Sequence, residues 1–388
     1  MSRIRVAHVI TRLCKGGAQE NTFHTVRLAN TERFDVDLIS GPTSGSEGSI
    51  EDAVHGAGID IIREPHLVRE VAPLRDLLAL RSLTRLFRTE RYHIVHTHTS
   101  KAGFVGRLAA ARAGVPIVVH TPHGNVFDGY FSRWLTELFV RMERYAARKT
   151  TRLIALTPEG AAEDLAHGIG APGQYVTIFS GVDFAPCDHA VERRIETRRS
   201  LAVHSGEFLV GGVGRLEPVK GFAYFIQAAG LIAEALPEAR FVLAGNGSQY
   251  AELAAQAGPL RDRFVMLGMR EDVPELMAAM DVFVLPSLNE GMGRVLLEAS
   301  AVGTPSVASN VGGVPDIVKH ERNGILVPPR DPRAIAGAVI SLARDPERRK
   351  ALAENARKSV VPAYSIERMV EQIESLYEEL IKEKRIEP

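Results

Sequence analysis

The 388-residue chain has only two cysteines, Cys14 and Cys187. Two thiols exclude a disulfide framework and a cysteine-built zinc site, and their scarcity suits a reducing cytosol. Net charge is also missing: 47 Lys and Arg balance 47 Asp and Glu, which argues against a dedicated nucleic-acid binder. The longest uncharged stretches, such as 299–315, are interrupted by Gly and Pro and make poor membrane spans. The opening apolar run IRVAHVIT (4–11) lacks signal-peptide length and is followed by no small-residue cleavage site, so it reads as a first strand. No GxGxxG follows that strand, which disfavours NAD, and no P-loop, HExxH or GxSxG occurs. The chain shows neither a long repeat nor a low-complexity tract.

What is present is ordinary globular material, 45% apolar and 24% charged, enough for two or three domains at ~150 residues each. Short β-branched runs at 4–11, 35–40, 59–62, 93–99, 116–121, 152–157 and 175–182 alternate with helical segments at 17–29, 73–90, 101–113, 131–149 and 158–167. In 73–90, leucines at helical spacing, beginning Leu74, Leu77 and Leu78, are interleaved with arginines. The rhythm restarts at FLVGGVGRL (208–216), with further strands at 240–245, 264–267, 282–286, 306–309 and 325–327 and helices at 221–236 and 249–257. This pattern predicts an α/β chain of two doubly wound, Rossmann-like domains, 1–183 and 184–364. Residues 365–384 read as a closing amphipathic helix. Ligands of such sheets bind beyond the carboxyl ends of the strands, so the loops after strands are where chemistry is expected.

KGGAQ (15–19) follows the first strand; Gly16 and Gly17 would let a ligand approach a helix N-terminus, as an ordinary turn would also allow. His96 and His98 stand two apart at a strand end, but no third ligand with metalloenzyme spacing is visible, so no metal site is assigned. His123, beside Gly124, leaves a strand for a loop where it could face substrate or serve structure alone. GRLEPVKG (214–221) offers Arg215 and Lys220, two cations suited to a diphosphate or simply to solvent. GNGSQ (245–249) brings Asn246 on another glycine-rich loop. PSLNEGMGRVLLEAS (286–300) places Glu290 at a strand-to-helix loop, Gly291, Met292 and Gly293 with accessible amides, and Glu298 inside the helix. A cap and a surface residue would be the plainer roles of those two glutamates. Asp35 and Asp37 form a formal Asp-x-Asp, but they alternate within a strand and read as one solvated face.

Taken in order, GGAQE (16–20), HGNVF (123–127), GRLEPVKG (214–221) and NEGMGRVLLEA (289–299) resemble the retaining GT-B nucleotide-sugar glycosyltransferases of the family-four group, over nearly the whole chain. The resemblance implies two domains facing across a cleft, with the last helix (365–388) crossing back to the first. It implies a nucleotide-sugar donor, a UDP-sugar by the likeness to bacterial exopolysaccharide and envelope-glycan members, and a glycan or lipid-linked acceptor. By position, Gly16 and Gly17 would lie near donor phosphates or acceptor, and Arg215 and Lys220 would neutralise the leaving diphosphate. Glu290 would hold sugar hydroxyls and Glu298 the ribose. His123 would face the transferred sugar, and the amides of Gly291, Met292 and Gly293 the distal phosphate. No metal or other cofactor is then required. Arg294 stands where many relatives are apolar, and Ser180 in FSGVD (179–183) replaces the commoner Asn, with Gly181 keeping the turn. A phosphorylase or glycan synthase, a nucleotide-sugar epimerase and a non-catalytic binder remain competing readings.

The charge balance is uneven along the chain. Residues 1–180 hold 22 Lys and Arg against 18 Asp and Glu, and residues 63–152 hold 16 against 7. With Phe127, Tyr130, Phe131, Trp134 and Phe139 near Arg133, Arg141 and Arg144, this predicts a cytoplasmic protein whose first domain can meet an anionic membrane, the inner face of the plasma membrane. A packed helix with a solvated basic face would carry the same residues.

Overall fold

The β-branched runs form two parallel sheets, each in its own unit of the chain. The computed structural model describes residues 3–43, 48–123 and 133–387. One unit comprises Met1–Gly181 with Ile366–Pro388, the other Val182–Ser365. The first contains β1 (Ile4–Ile10), β2 (Phe34–Ser40), β3 (Ile61–Arg63), β4 (Ile94–His98), β5 (Ile117–Thr121), β6 (Arg152–Ala155) and β7 (Tyr175–Thr177), ordered 3-2-1-4-5-6-7. The second contains β8 (Phe208–Val213), β9 (Ala239–Ala244), β10 (Phe264–Gly268), β11 (Val282–Leu285), β12 (Ser306–Ser309) and β13 (Ile325–Val327), ordered 10-9-8-11-12-13. Strand order reverses at β1/β4 and at β8/β11. In parallel sheets of this kind ligands bind beyond the carboxyl ends of the strands at such reversals.

The first sheet is covered on both faces, as parallel sheets require. On one face Ile4, Val6, Ile94, Ile117 and Val119 pack against Met369, Val370, Ile373, Leu376, Tyr377 and Leu380 of the helix Ile366–Lys384. Those helical positions recur at three- and four-residue spacing, so a single stripe is buried. Gly181 is required here for space: a Cβ would lie 2.7 Å from the Ile366 Cα. On the other face Ala7, Val9, Val95 and Val118 meet Leu83, Phe87, Val105 and Ala109 from the helices Pro73–Glu90 and Ser100–Ala113.

Several expectations change. The strand expected to reach residue 182 ends at Thr177. Helix Pro73–Glu90 buries Ala79, Leu83, Thr84 and Phe87, but Leu74, Leu77 and Leu78 are exposed. Asp35 and Asp37 do share a strand face, but they are held in ion pairs: Asp35 with Arg3 and Arg5, Asp37 with Arg5, and Asp37 also accepts from Tyr92 at 2.6 Å. Helices Pro332–Arg344 and Pro346–Val360 were not anticipated. Each begins with an Asp side chain (Asp331, Asp345) accepting a backbone N–H, followed by Pro at the first helical position, which is a readable start signal.

Candidate active site

In the second unit the loops after β8, β9 and β11 converge at the order reversal. Backbone contacts bind them: Leu288 N–H donates to the Val219 carbonyl at 2.8 Å and Leu216 N–H to the Asn246 carbonyl at 2.9 Å. Gly221 has φ 63°, and a Cβ there would fall 2.2 Å from the Pro286 carbonyl oxygen. Gly245 has φ 142° and would place a Cβ 1.9 Å from the Gly214 carbonyl oxygen. Only glycine permits both the conformation and the contact.

This convergence pairs two of the predicted residues. Lys220 Nζ lies 2.5 Å from Glu290 Oε1, which also accepts from Ser287 Oγ at 2.7 Å. Glu290 is 8% exposed and its carbonyl accepts from Gly313 N–H at 3.0 Å, tying in the loop after β12. A Cβ on Gly312 would strike that carbonyl oxygen at 2.0 Å. Arg215 is exposed in the same loop as Lys220, and among the described residues no carboxylate bridges it. Its neighbour Glu217 accepts instead from the Ser248 backbone N–H at 3.1 Å and from its hydroxyl at 2.5 Å. Asn246 is exposed, and its side-chain oxygen accepts from Gly247 N–H.

Gly291 is exposed, Met292 is buried, and Gly293 caps helix Arg294–Ala301 with φ 64°. Arg294 opens that helix, half-buried. Glu298 sits one turn further on, also half-buried. Burial, with the Glu298 charge next in weight, pushes the nearby Cys187 thiol up to about 12, which leaves it unreactive.

The first unit holds Gly16, Gly17 and His123. Gly16 precedes the helix Gly17–Arg27 in extended backbone, and the Glu20 N–H donates to its carbonyl at 3.0 Å. His123 follows β5 with φ 63°, a left-handed conformation uncommon for a non-glycine residue. The rest of HGNVF, with Gly124 and Phe127, lies outside the described residues, as do Tyr130 and Phe131.

Beside His123 lies a cluster that sequence reading resolved only in part. On the sheet face covered by the last helix, each strand turns from apolar to polar toward its carboxyl end. Ile4 and Val6 lead to His8, Ile94 to His96 and His98, and Ile117 and Val119 to Thr121. β1 and β4 are in register with His8 opposite His96, so three imidazoles share one face. Burial pushes His8 down to about 3 and His96 and His98 well below the ordinary imidazole value, so all three are neutral. The missing third histidine is thus His8, brought in by the neighbouring strand. The period-two run Ile4, Val6, His8 was its signal. Asn21, Ile154, Met369 and Ile373 line the same small cavity beside His98 and His123, and Asn21 donates to Ser180 Oγ. On the opposite face His120 is neutral too, lowered by burial, with Nδ1 2.9 Å from Thr97 Oγ1.

Residues 16–181 match the family model described as glycosyl transferase 4-like domain, and residues 193–359 the one described as glycosyl transferases group 1. The chain is 33% identical, over 99% of both chains, to UDP-Gal:alpha-D-GlcNAc-diphosphoundecaprenol alpha-1,3-galactosyltransferase of Escherichia coli. It is 32% identical to a D-inositol 3-phosphate glycosyltransferase of Salinispora tropica over 76% of this chain and 65% of that one. Among solved structures, Anabaena Alr3699/HepE in complex with UDP and glucose superposes with a TM-score of 0.81 at 22% identity, covering 97% of this chain and 100% of the other. WaaG, a glycosyltransferase involved in lipopolysaccharide biosynthesis, gives 0.69 at 19% identity over 96% and 99%.

Proposed function

Since the chain belongs to the family-four GT-B glycosyltransferases, we propose that it moves a sugar from a UDP-sugar to a lipid-linked glycan acceptor with retention of anomeric configuration. The observation that carries this reading is the Lys220–Glu290–Ser287 cluster at the β8/β11 reversal, on glycine-bound loops beside the helix N-terminus at Gly293. A nucleoside diphosphate leaving a sugar gains negative charge. Arg215 and Lys220 neutralise it, and the amides of Gly291, Met292 and Gly293 donate to its distal phosphate. Glu290 accepts from sugar hydroxyls and Glu298 from the ribose. From the first unit, Gly16 and Gly17 serve donor phosphates or acceptor, and His123 faces the sugar where positive character develops. With two cations on the diphosphate, transfer proceeds without an added divalent metal. The choice of UDP and of a lipid-linked acceptor is supported by the E. coli relative, whose name contains both. Its α linkage is the one that retention leaves from an α-configured donor.

A screen of UDP-, GDP- and ADP-sugars, read by slow donor hydrolysis and by transfer to a polyprenyl-diphosphate-linked sugar in EDTA, tests this. UDP release with an α-linked product is expected. A β-linked product would remove retention, and turnover of GDP- or ADP-sugars alone would remove the donor assignment.

The acceptor is reached at an anionic membrane surface, as we read it. Among the described residues no helix is long and apolar enough to cross a membrane. Leu74, 81% exposed, and Leu78 share a helix face with the exposed Arg81 and Arg85, and Trp134 is 71% exposed. This pairing of apolar and basic side chains suits an anionic headgroup layer. Salt-sensitive flotation with phosphatidylglycerol vesicles is expected. Flotation that is absent, or equal with neutral vesicles, would eliminate this part of the proposal.

A further inference from the structure

Six side chains of the first unit form one unbroken hydrogen-bonded chain. His123 Nε2 lies 2.9 Å from His98 Nδ1, and His98 Nε2 lies 2.9 Å from His8 Nδ1. His8 Nε2 lies 3.3 Å from the Tyr377 hydroxyl, which is 2.6 Å from His96 Nδ1. His96 Nε2 in turn lies 2.8 Å from Thr121 Oγ1.

A neutral imidazole has one donor and one acceptor nitrogen, so the direction of one bond in such a chain sets all the others. The phenol has a single proton, and its shorter contact marks His96 Nδ1 as the acceptor of it. His96 then donates from Nε2 to Thr121. The phenol oxygen accepts from His8 Nε2–H, His8 Nδ1 accepts from His98 Nε2–H, and His98 Nδ1 accepts from His123 Nε2–H. The lone pair of His123 is left on Nδ1.

One ring nitrogen from each of His8, His96 and His98 also lies within 4.8 Å of the other two, as a metal site would require. The spacing favours protons instead. Two nitrogens on one tetrahedral zinc stand about 3.3 Å apart, whereas the His8–His98 contact of 2.9 Å has the length of a hydrogen bond. All six ring nitrogens of the three histidines already have partners within the chain.

We propose that Tyr377, His8 and His98 form a positioning relay that holds His123 in the tautomer protonated on Nε2, so that a residue of the last helix decides which nitrogen of His123 carries the lone pair. The consequence for transfer rests on the reading of His123 as the residue facing the sugar. The left-handed backbone of His123 is the expense of bringing its ring to the end of this chain.

Nitrogen-15 long-range correlation spectra of histidine-labelled protein report each tautomer directly. In the wild type, His123, assigned by its loss in His123→Gln, is expected to show a protonated Nε2 and an unprotonated Nδ1. In Tyr377→Phe the relay's bias is removed, and His123 should shift toward the Nδ1-protonated tautomer relative to wild type, with kcat falling in proportion to the Nδ1-protonated fraction and donor KM unchanged. His98→Gln should do the same by cutting the relay at its middle. A wild-type His123 protonated on Nδ1 would overturn the proposal without any variant. So would a His123 tautomer unmoved by Tyr377→Phe, or stoichiometric zinc lost on His8→Gln. A tautomer shift with unchanged kcat would uphold the relay and remove His123 from the reaction.

Discussion

Lys220 and Glu290 join the loops after β8 and β11 through a contact of 2.5 Å, with Ser287 on the same carboxylate oxygen. The cation is therefore held in place before any ligand arrives, by the residue expected to bind the sugar next to it. A diphosphate entering the loop would draw Lys220 from Glu290 and leave that carboxylate to accept hydroxyl groups.

Lys220→Ala and Glu290→Ala should each lower transfer by about a hundredfold or more, the scale of losing one charge-stabilising donor. Each should cost about 1–3 kcal/mol in stability, because the remaining partner is left partly buried. The double variant should be less destabilised than the sum of the two. Steady-state kinetics and denaturant titration check this, and near-wild-type turnover by either single variant would refute the site assignment.

Gly221→Ala and Gly245→Ala should destabilise the second unit by about 1–3 kcal/mol, the scale of enforced backbone strain. The added methyls meet the Pro286 and Gly214 carbonyls. Gly221→Ala should also weaken donor binding, since it pushes apart the two loops that Lys220 and Glu290 join. Thermal melts and UDP titration separate the two effects.

Acid should unfold the first unit first. His8, His96, His98 and His120 are buried and neutral, with folded pKa values below the unfolded value near 6.5. Their contribution is intact above pH 6.5 and is lost as pH falls. Asp164 acts oppositely: burial raises it to about 7, so it holds a proton that the unfolded chain has released above pH 4. The protons these histidines gain on unfolding outnumber the one that Asp164 releases, so the stability of the first unit slopes downward as pH falls from 6.5 toward 5. Asp164→Asn should steepen that slope and raise stability at pH 8. The second unit has no buried histidine among its described residues, and its transition is the reference against which the first unit's shift is read. Calorimetry from pH 8 to 4.5 reads both transitions.

Leu380→Ala should cost the first unit about 2–5 kcal/mol, the usual penalty for truncating a fully buried leucine. Leu380 is fully buried in the cluster with Ile4, Ile94 and Tyr377. The second unit's transition should not move.

Strand-helix alternation was legible because parallel strands buried on both faces need continuous β-branched runs, and the six of the second unit follow it closely. The glutamate loop and the Arg215–Lys220 loop were legible because each motif is contiguous. The histidine chain was not. His8, His96 and His98, His123 and Tyr377 come from four places in the sequence, and only the β1–β4 register and the returning helix bring them together. The exposure of Leu74, Leu77 and Leu78 escaped for a related reason: spacing shows that a helix has an apolar face, not whether anything covers it.

The return of residues 366–384 to the first unit sets an order of assembly during synthesis. Residues 1–181 leave the ribosome first, yet the apolar face of Ile4, Val6, Ile94 and Ile117 has no cover until the closing helix is made. At cellular elongation rates the intervening Val182–Ser365 takes roughly ten to forty seconds to make. That unit is contiguous in the chain and can complete itself in the interval. The half translated first is therefore the half finished last.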